Sequence, residues 1–98
     1  MSKGYLIGQL TVRNAAGYTA YSSQVQPTLE PFGGRFLVRG GDAVVLDGDP
    51  SGPRNVVIEF PSVQAARDWY RSAAYQAILQ HRLDNADGYV LVVAGYEG

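Results

Sequence analysis

Hydrophobic residues recur along this chain with two periods, and the order of the two periods predicts the fold. Alternation of apolar and polar residues, or a continuous apolar run, predicts strands at residues 5–12, 35–46, 54–60 and 89–94. Apolar spacings of three and four predict helices over about residues 15–30 and over residues 63–82, with a break allowed near Ser72. The order β-α-β-β-α-β is that of a ferredoxin-like α+β fold, a four-stranded antiparallel sheet with both helices on one face.

Capping and breaking residues mark the ends of these elements. Asn14 and Ser62 stand where the helices begin and are good N-caps. Pro27 is expected to kink the first helix or end its regular part, because proline lacks the N–H that a helix interior needs. The Gly40-Gly41 pair inside the second strand predicts a β-bulge. Turn and loop signals lie at residues 33–34, 47–53 and 84–88.

The predicted elements have faces of different polarity. Leu6, Leu10 and Val12 share the face of the first strand that is expected to meet the helices. Phe36 and Val38 are expected to share one face of the second strand. The second helix is predicted to bury a stripe of Val63, Ala66, Tyr70, Ala73 and Ala77, with Trp69 beside it. Trp69 and Tyr70 are therefore interpreted first as core residues.

The face of the sheet without helices is too apolar for a monomer in water. It is predicted to present Tyr5, Ile7, Gln9, Leu37, Arg39, Val57, Glu59 and either Leu91 or Val93. An apolar patch of this kind marks an interface or a binding groove. Two such faces packed around a two-fold axis would cover both, so we predict a homodimer whose two sheets form one barrel-like interior.

Two charged residues, Arg39 and Glu59, fall on this predicted inner face and would lie diagonally opposite each other on neighbouring strands. Buried charges are tolerated only when they are paired or neutralised, so one interpretation is an ion pair that sets the strand register. The other is an anion-binding arginine or an acid–base glutamate that faces a cavity.

Composition excludes several classes of function. The chain has 98 residues and is predicted to form a single domain, residues 1–98. Its net charge is −1 and its arginines are scattered, so no basic stripe is available for nucleic acid. It has no cysteine, which excludes disulfides and thiolate chemistry. No apolar run approaches the ~18 residues that span a bilayer, and no signal peptide is evident, so no membrane contact and a cytoplasmic location are expected.

No cofactor or metal site is expected either. His81 is the single histidine, and its Gln-His-Arg context near a helix end is typical of a solvated side chain. Haem degradation would need haem iron bound by such a ligand, and two further histidine or carboxylate partners at metal-ligand spacing are missing. Gly40-Gly41 does not open a helix, so the chain has no phosphate-binding glycine loop.

Three segments together resemble the DUF1330 family of small bacterial proteins. They are GGRFLVRGGDAVVLDG at residues 33–48, RNVVIEFPSVQAARDWYRSAAYQAILQHR at residues 54–82, and the closing VLVVAG. The resemblance covers nearly the whole chain and implies the dimeric α/β-barrel superfamily, in agreement with the pattern. It adds no activity, because the family's function is unassigned. It implies a site near Arg39, Asp47, Trp69, Tyr75 and Arg82.

Most of these residues also have a structural interpretation. Asp47 would start a turn, and Arg82 would satisfy carbonyl groups at a helix end. Tyr75 would donate its hydroxyl either to a ligand or to a loop.

Two functions therefore stay open. The first is a dimer that binds a small organic molecule in a cavity between sheet and helices, lined by polar groups such as Tyr5, Gln9, Arg39 and Glu59. An activity such as that of a cofactor-independent oxygenase or isomerase would belong to this alternative. The second is a non-enzymatic structural or regulatory dimer in which the Arg39–Glu59 pair is purely structural and no cavity of useful volume exists.

Overall fold

A computed structural model describes residues 2–97; Met1 and Gly98 lie outside the described residues. Its strands are β1 (Gly4–Val12), β2 (Arg35–Gly41), β3 (Arg54–Phe60) and β4 (Ala86–Ala94). Its helices are α1 (Ala15–Leu29), α2 (Val63–Arg71) and α3 (Ala73–Asn85), and a 3₁₀ turn, Glu30–Phe32, follows α1. The strands form one antiparallel sheet in the order β2-β3-β1-β4, which confirms the predicted ferredoxin-like fold.

The hydrophobic core lies between one face of the sheet and the helices. The strand register places Leu6 beside Ile58 and Val92, so alternate residues of neighbouring strands point to the same side. Leu6 and Leu10 are buried and Val12 packs against the core, as predicted. The buried apolar residues are Leu6, Leu10, Tyr18, Tyr21, Val25, Leu29, Ile58, Phe60, Ala66, Trp69, Tyr75, Ile78, Leu79 and Ala86.

The first helix has the predicted ends. The Asn14 side chain accepts a hydrogen bond from the Gly17 N–H at 3.2 Å and so caps α1. Pro27 lies two residues before the end of α1, and the chain then tightens into the 3₁₀ turn. Gly33 ends this turn with φ 70°, a left-handed conformation that favours glycine.

A break at Ser72 divides the second helical segment into α2 and α3. The ψ of Ser72 is 149°, and its Oγ caps α3 by accepting the N–H of the third helical residue at 3.3 Å. The predicted stripe is already wrong at Tyr70, because α2 buries Ala66 and Trp69 instead. The break then restarts the helical phase, so the continuation of the stripe through Ala73 and Ala77 is wrong as well. Tyr70 is 36% exposed, and Ala73 and Ala77 are exposed as well. Trp69 is buried, as predicted. The residues that α3 buries are Tyr75, Ile78, Leu79 and Arg82.

Two predicted strand boundaries are wrong. β4 begins directly after α3, in place of the predicted turn at residues 84–88, and β2 stops at Gly41 rather than at residue 46. To extend β2, residues 43–46 would have to pair with residues 50–53. Two prolines in that stretch have no N–H to donate to a strand ladder. Residues 42–46 therefore keep a strand-like pattern without a partner strand in the described chain.

Bulges in β2 change the direction in which its side chains point. Phe36 and Val38 pair with consecutive residues of β3, so Leu37 is an extra residue in β2. A second irregularity follows Arg39, where Gly40 has φ 71°, which confirms the predicted bulge at the glycine pair. An extra residue reverses the alternation of faces. Phe36 and Arg39 therefore lie on the helix side and Val38 on the open side, against the prediction that Phe36 and Val38 share a face.

Candidate functional site

The bulge at Leu37 separates Arg39 from Glu59. Arg39 pairs with Val56 in the register and lies on the helix side, whereas Glu59 lies opposite Arg35 on the open face of the sheet. The predicted diagonal contact and the predicted ion pair between Arg39 and Glu59 are therefore wrong. The prediction assumed regular alternation through Leu37, which is an extra residue without a partner on β3.

Glu59 instead belongs to a cluster on the open face. Its carboxylate accepts hydrogen bonds from Lys3 Nζ at 3.2 Å, from Tyr5 Oη at 3.1 Å and from Arg35 Nε at 2.9 Å. The bond from Arg35 holds the pKa of Glu59 below its ordinary value, and the bond to Glu59 raises the pKa of Tyr5. Two predicted site residues, Tyr5 and Glu59, thus lie together, on the opposite side of the sheet from Arg39.

A cavity lies on the other side, between α1, α3 and the helix-side face of the sheet. Its polar and aromatic lining comes from Arg39, Arg54, Arg82, Ser22, Tyr18, Tyr21, Tyr75, Phe36 and Trp69. The centres of water-sized spheres reach about 30 Å³ of this space, which is room for one or two water molecules. Four predicted site residues, Arg39, Trp69, Tyr75 and Arg82, are brought together here.

Two arginines cross the mouth of the cavity from the sheet to α1. Arg39 donates to the Ser22 carbonyl oxygen at 2.7 Å and to Gln26 Oε1 at 3.4 Å, and its guanidinium lies 4.4 Å from the centre of the Phe36 ring. Arg54 donates from Nε to Tyr18 Oη at 3.1 Å, and its guanidinium lies 5.0 Å from the Tyr18 ring centre. Arg39 is exposed, so its side chain can leave the mouth without the loss of a buried contact.

Two tyrosines and the single tryptophan form the inner wall. The hydroxyl groups of Tyr21 and Tyr75 are 2.8 Å apart and share one hydrogen bond. The rings of Trp69 and Tyr75 pack with centroids 4.1 Å apart, and Trp69 Nε1 donates to Thr28 Oγ1 at 2.9 Å. Burial raises the pKa of both Tyr21 and Tyr75, so both hydroxyls are protonated at neutral pH.

Arg82 projects from α3 into this wall. It is only 7% exposed, and its Nε has no hydrogen-bond partner in the part of the chain that the structure describes. Its guanidinium lies near Tyr75, where its positive charge opposes the effect of burial on the pKa of that hydroxyl. A buried guanidinium with an unpaired donor is costly. The predicted role at a helix end therefore does not describe it.

The charged side chains that line the cavity are all positive. Three arginines face the cavity, and no aspartate or glutamate is among the residues that line it in the described chain. Guanidinium groups bind carboxylate and phosphate oxygens in a planar, bidentate arrangement. The cavity therefore offers an apolar interior with positive charge and hydroxyl donors, which suits an organic anion.

Tyr18, Tyr21 and Arg54 also line the cavity, although they are not among the predicted site residues. Tyr18 and Tyr21 are buried residues of α1, and nothing local distinguishes a lining tyrosine from a core tyrosine. Arg54 alternates in phase with Val56 and Ile58, and this phase was the signal that could have placed it on the helix side.

Asp47 lies apart from the cavity, in the exposed loop after β2, and His81 is exposed on α3. Within residues 2–97, no three histidine, cysteine, aspartate or glutamate side chains are grouped closely enough to hold a metal ion. Across the same range, no helix has the length and apolar character that crossing a membrane would require.

A family model with the description "Domain of unknown function (DUF1330)" matches residues 3–96. The chain belongs to the DUF1330 family. Among curated proteins none matches the sequence.

Solved structures with the same fold include a protein of unknown function and an oxygenase. RPA0582, a protein of unknown function from Rhodopseudomonas palustris, is 21% identical with a TM-score of 0.78 over 99% of this chain and 85% of its own. A methylated form of RPA0582 gives 21% identity and a TM-score of 0.75 over 98% and 82%. SnoaB, a cofactor-independent oxygenase from Streptomyces nogalater, is 9% identical with a TM-score of 0.70 over 100% and 97%. At these identities the likeness concerns the fold alone.

Proposed function

We propose that this protein is a homodimer that binds a small organic anion in the arginine-lined cavity of each subunit. The observation that carries the proposal is Arg82, a guanidinium buried to more than nine-tenths with a donor left unpaired. Burial of an unpaired donor costs about 1–3 kcal/mol. A bound carboxylate would pair with this donor and with the neighbouring tyrosine hydroxyls.

The closed cavity is smaller than a small organic anion, so the proposed binding requires that the cavity open. As the cavity stands, it admits one or two water molecules. Arg39 covers the mouth through two exposed hydrogen bonds, to a carbonyl and an amide oxygen of α1, and through its contact with the half-buried Phe36 ring. We infer that movement of this one side chain opens the space between β2 and α1, so that a ligand enters there with its carboxylate toward Arg82 and Arg39 closes behind it.

An enzymatic role is the second candidate. SnoaB, which shares the fold, is a cofactor-independent oxygenase, and Arg82 beside Tyr75 would stabilise an enolate or phenolate form of a bound molecule. The cavity lining contains neither a carboxylate nor a histidine in the described chain, and its inner tyrosines are held protonated. It therefore lacks a group that removes a proton at neutral pH, which favours binding over isomerisation.

The homodimer is supported by the open face of the sheet. Five apolar side chains of this face are between 37% and 47% exposed: Leu37, Val38, Tyr89, Leu91 and Val93. The half-buried Ile7 and Val57 lie on the same face. A second copy of the same face would remove this apolar surface from water. We expect sedimentation velocity to give a dimer; a monomer at all concentrations would rule it out.

Ligand binding is tested with matched acids and amides. The fluorescence of the single tryptophan, Trp69, reports on the cavity wall. Benzoate and phenylacetate are expected to change this fluorescence saturably, whereas benzamide and phenylacetamide, which have the same shape without the charge, are not. Arg82→Met is expected to weaken benzoate binding at least about tenfold, since a charge-assisted hydrogen bond contributes ~1.5–3 kcal/mol.

Arg13→Met is the control for this substitution. Arg13 is paired with Asp87 at 2.8 Å on the surface and does not line the cavity, so this variant should bind benzoate as the wild type does. Equal binding of acids and amides, or undiminished binding by the Arg82→Met variant, would contradict the proposed anion site.

A further inference from the structure

The cavity between sheet and helices meets an outer groove at Arg54. Tyr18, Ser22 and Arg54 line the cavity, and the same three residues line the groove. The outer groove lies between α1, the end of β1 and the start of β3, and its volume is about 400 Å³. It therefore has the room that the closed cavity lacks, at the mouth through which the proposed ligand enters.

Arg54 carries a half-buried positive charge without a counter-charge. Its Nε donates to Tyr18 Oη at 3.1 Å, but neither Nη donates a hydrogen bond and no carboxylate pairs with the guanidinium within residues 2–97. Arg13 and Arg35, in contrast, each form an ion pair at the surface. The terminal amino groups of Arg54 are therefore available for a planar, bidentate contact with an acidic group.

The glycine bulge of β2 makes room for this guanidinium. Gly40 has φ 71°, and a Cβ at this position would overlap Arg54 Nη1. Glycine suits the position for two reasons, the left-handed backbone and the close approach of the arginine. Arg39, the residue before Gly40, donates from both of its Nη atoms to acceptors on α1. Of the two arginines at the mouth, Arg54 is thus the one whose terminal donors are unused.

Aromatic rings separate Arg54 from Arg82. The guanidinium of Arg54 lies 5.0 Å from the Tyr18 ring centre, and that of Arg82 lies near Tyr75. Tyr21 stands between these two tyrosines, with its ring centroid 5.5 Å from that of Tyr18 and 6.0 Å from that of Tyr75. A ligand that reaches both arginines therefore places an apolar middle against the rings and an acidic group at each end.

The outer groove itself favours an acidic group. No aspartate or glutamate is among the residues that line it in the described chain. Arg54 is its charged residue, and its hydroxyl groups other than that of Tyr18 come from Thr11, Thr19 and Ser22. A positive charge beside hydroxyl donors is the setting in which a carboxylate forms charge-assisted hydrogen bonds.

We propose that the ligand is an organic dianion, a dicarboxylate with an apolar middle, whose second carboxylate is held by Arg54 where the cavity meets the outer groove. The inference rests on the anion site proposed above and names the class of its ligand. The first carboxylate lies at Arg82, and the apolar middle passes the tyrosine rings. A monoanion of the same length would leave the half-buried charge of Arg54 without a partner.

The test compares dicarboxylates with their monoamides. The linear dicarboxylates from glutarate to sebacate are titrated against Trp69 fluorescence, each beside its own monoamide, which has the same length and one charge fewer. At the length that spans the two arginines, the diacid is expected to bind at least about tenfold more tightly than the monoamide, because Arg54 supplies a charge-assisted hydrogen bond to the second carboxylate.

Substitutions of Arg54 assign this preference to its guanidinium. Arg54→Met is expected to reduce the ratio of the two dissociation constants to about one, and Arg54→Lys, which keeps the charge without the planar fork, is expected to retain part of the ratio. Arg13→Met is the control, because Arg13 lines neither the cavity nor the outer groove. It should keep the ratio of the wild type.

The outcomes separate this inference from the anion site on which it rests. If benzoate binds and no diacid of the series is preferred over its monoamide, the dianion inference is wrong and the anion site stands. A preference that persists undiminished in Arg54→Met overturns the inference as well, because another residue then holds the second carboxylate. If neither benzoate nor any diacid binds, both proposals fail. The comparison of diacid with monoamide uses the wild type alone, so it decides the inference even if Arg54→Met does not fold.

Discussion

Replacement of Arg82 by methionine should stabilise the free protein and weaken its ligand binding. Methionine keeps an unbranched stem of similar length and removes the charge, so it suits the apolar wall of the cavity. Arg82 is 7% exposed, and its Nε has no partner in the described chain. If Arg82 is retained for ligand binding, it lowers the stability of the free protein, a trade-off that is common at functional sites.

The size of the effect follows from two opposing contributions. Removal of the unsatisfied buried donor is worth ~1–3 kcal/mol, and loss of the interaction with Tyr75 costs ~0.5–1.5 kcal/mol. Replacement of buried charge by apolar side chains of similar volume is stabilising by ~1–4 kcal/mol in favourable cases. We therefore expect the free energy of unfolding to increase by ~1–2 kcal/mol, or the melting temperature to rise by ~4–8 °C for each kcal/mol.

Urea unfolding followed by Trp69 fluorescence measures this change, at one protein concentration so that any dimer contributes equally. Arg82→Lys is the control, because it keeps a buried charge and should not stabilise the protein. If the free energy of unfolding of Arg82→Met instead falls by ~2 kcal/mol or more, the loss exceeds the effect of a surface substitution. Arg82 would then be a structural residue. The proposal of an anion site would then lose its main support.

Three further variants test other parts of the structure. Thr28→Val should cost ~1–3 kcal/mol in urea unfolding, because it leaves the buried Trp69 Nε1 without its acceptor; Thr19→Val, which loses one exposed hydrogen bond within α1, should change stability far less, and equal losses would refute the reasoning. The lowered pKa of Glu59 means that its contribution to stability is present above the unfolded pKa of ~4.3 and is lost as pH falls through the folded value. Urea midpoints between neutral and acid pH should therefore fall more steeply for the wild type than for Glu59→Gln, and parallel profiles would count against the cluster. Gly88→Ala should destabilise by more than ~2 kcal/mol, since Gly88 has φ 131° and an added Cβ would overlap a carbonyl oxygen of β1; a melting temperature equal to the wild type would contradict this.

The strands differ in how far the sequence could predict their faces. β1 and β3 pair without interruption, so strict alternation assigned Leu6 and Glu59 to their sides correctly. β2 contains an extra residue, Leu37, and every residue after it is displaced by one position. The glycine pair gave a signal for the second bulge, but Leu37 has no residue-type signal, because a leucine fits a regular strand equally well.

The helices show the same limit for a different reason. The break at Ser72 was foreseen, yet the stripe was continued through it, and the phase of α3 depends on the angle at which it leaves the break. Tyr75 and Arg82 are buried because α3 packs beside α1, where Tyr75 meets Tyr21. Nothing local to α3 distinguishes this packing from a solvated helix end.

The sequence alone determined the order of the elements, the helix caps and the ferredoxin-like topology, because periodicity, capping and turn chemistry act over a few neighbouring residues. Tertiary structure decided which charges meet. Strand register places Arg39 at the cavity and Glu59 on the open face, and helix packing buries Arg82 among tyrosines. The physical reason is that strand register and helix packing are set by distant partners, and one unpaired residue or one interrupted turn transfers a side chain to the opposite face.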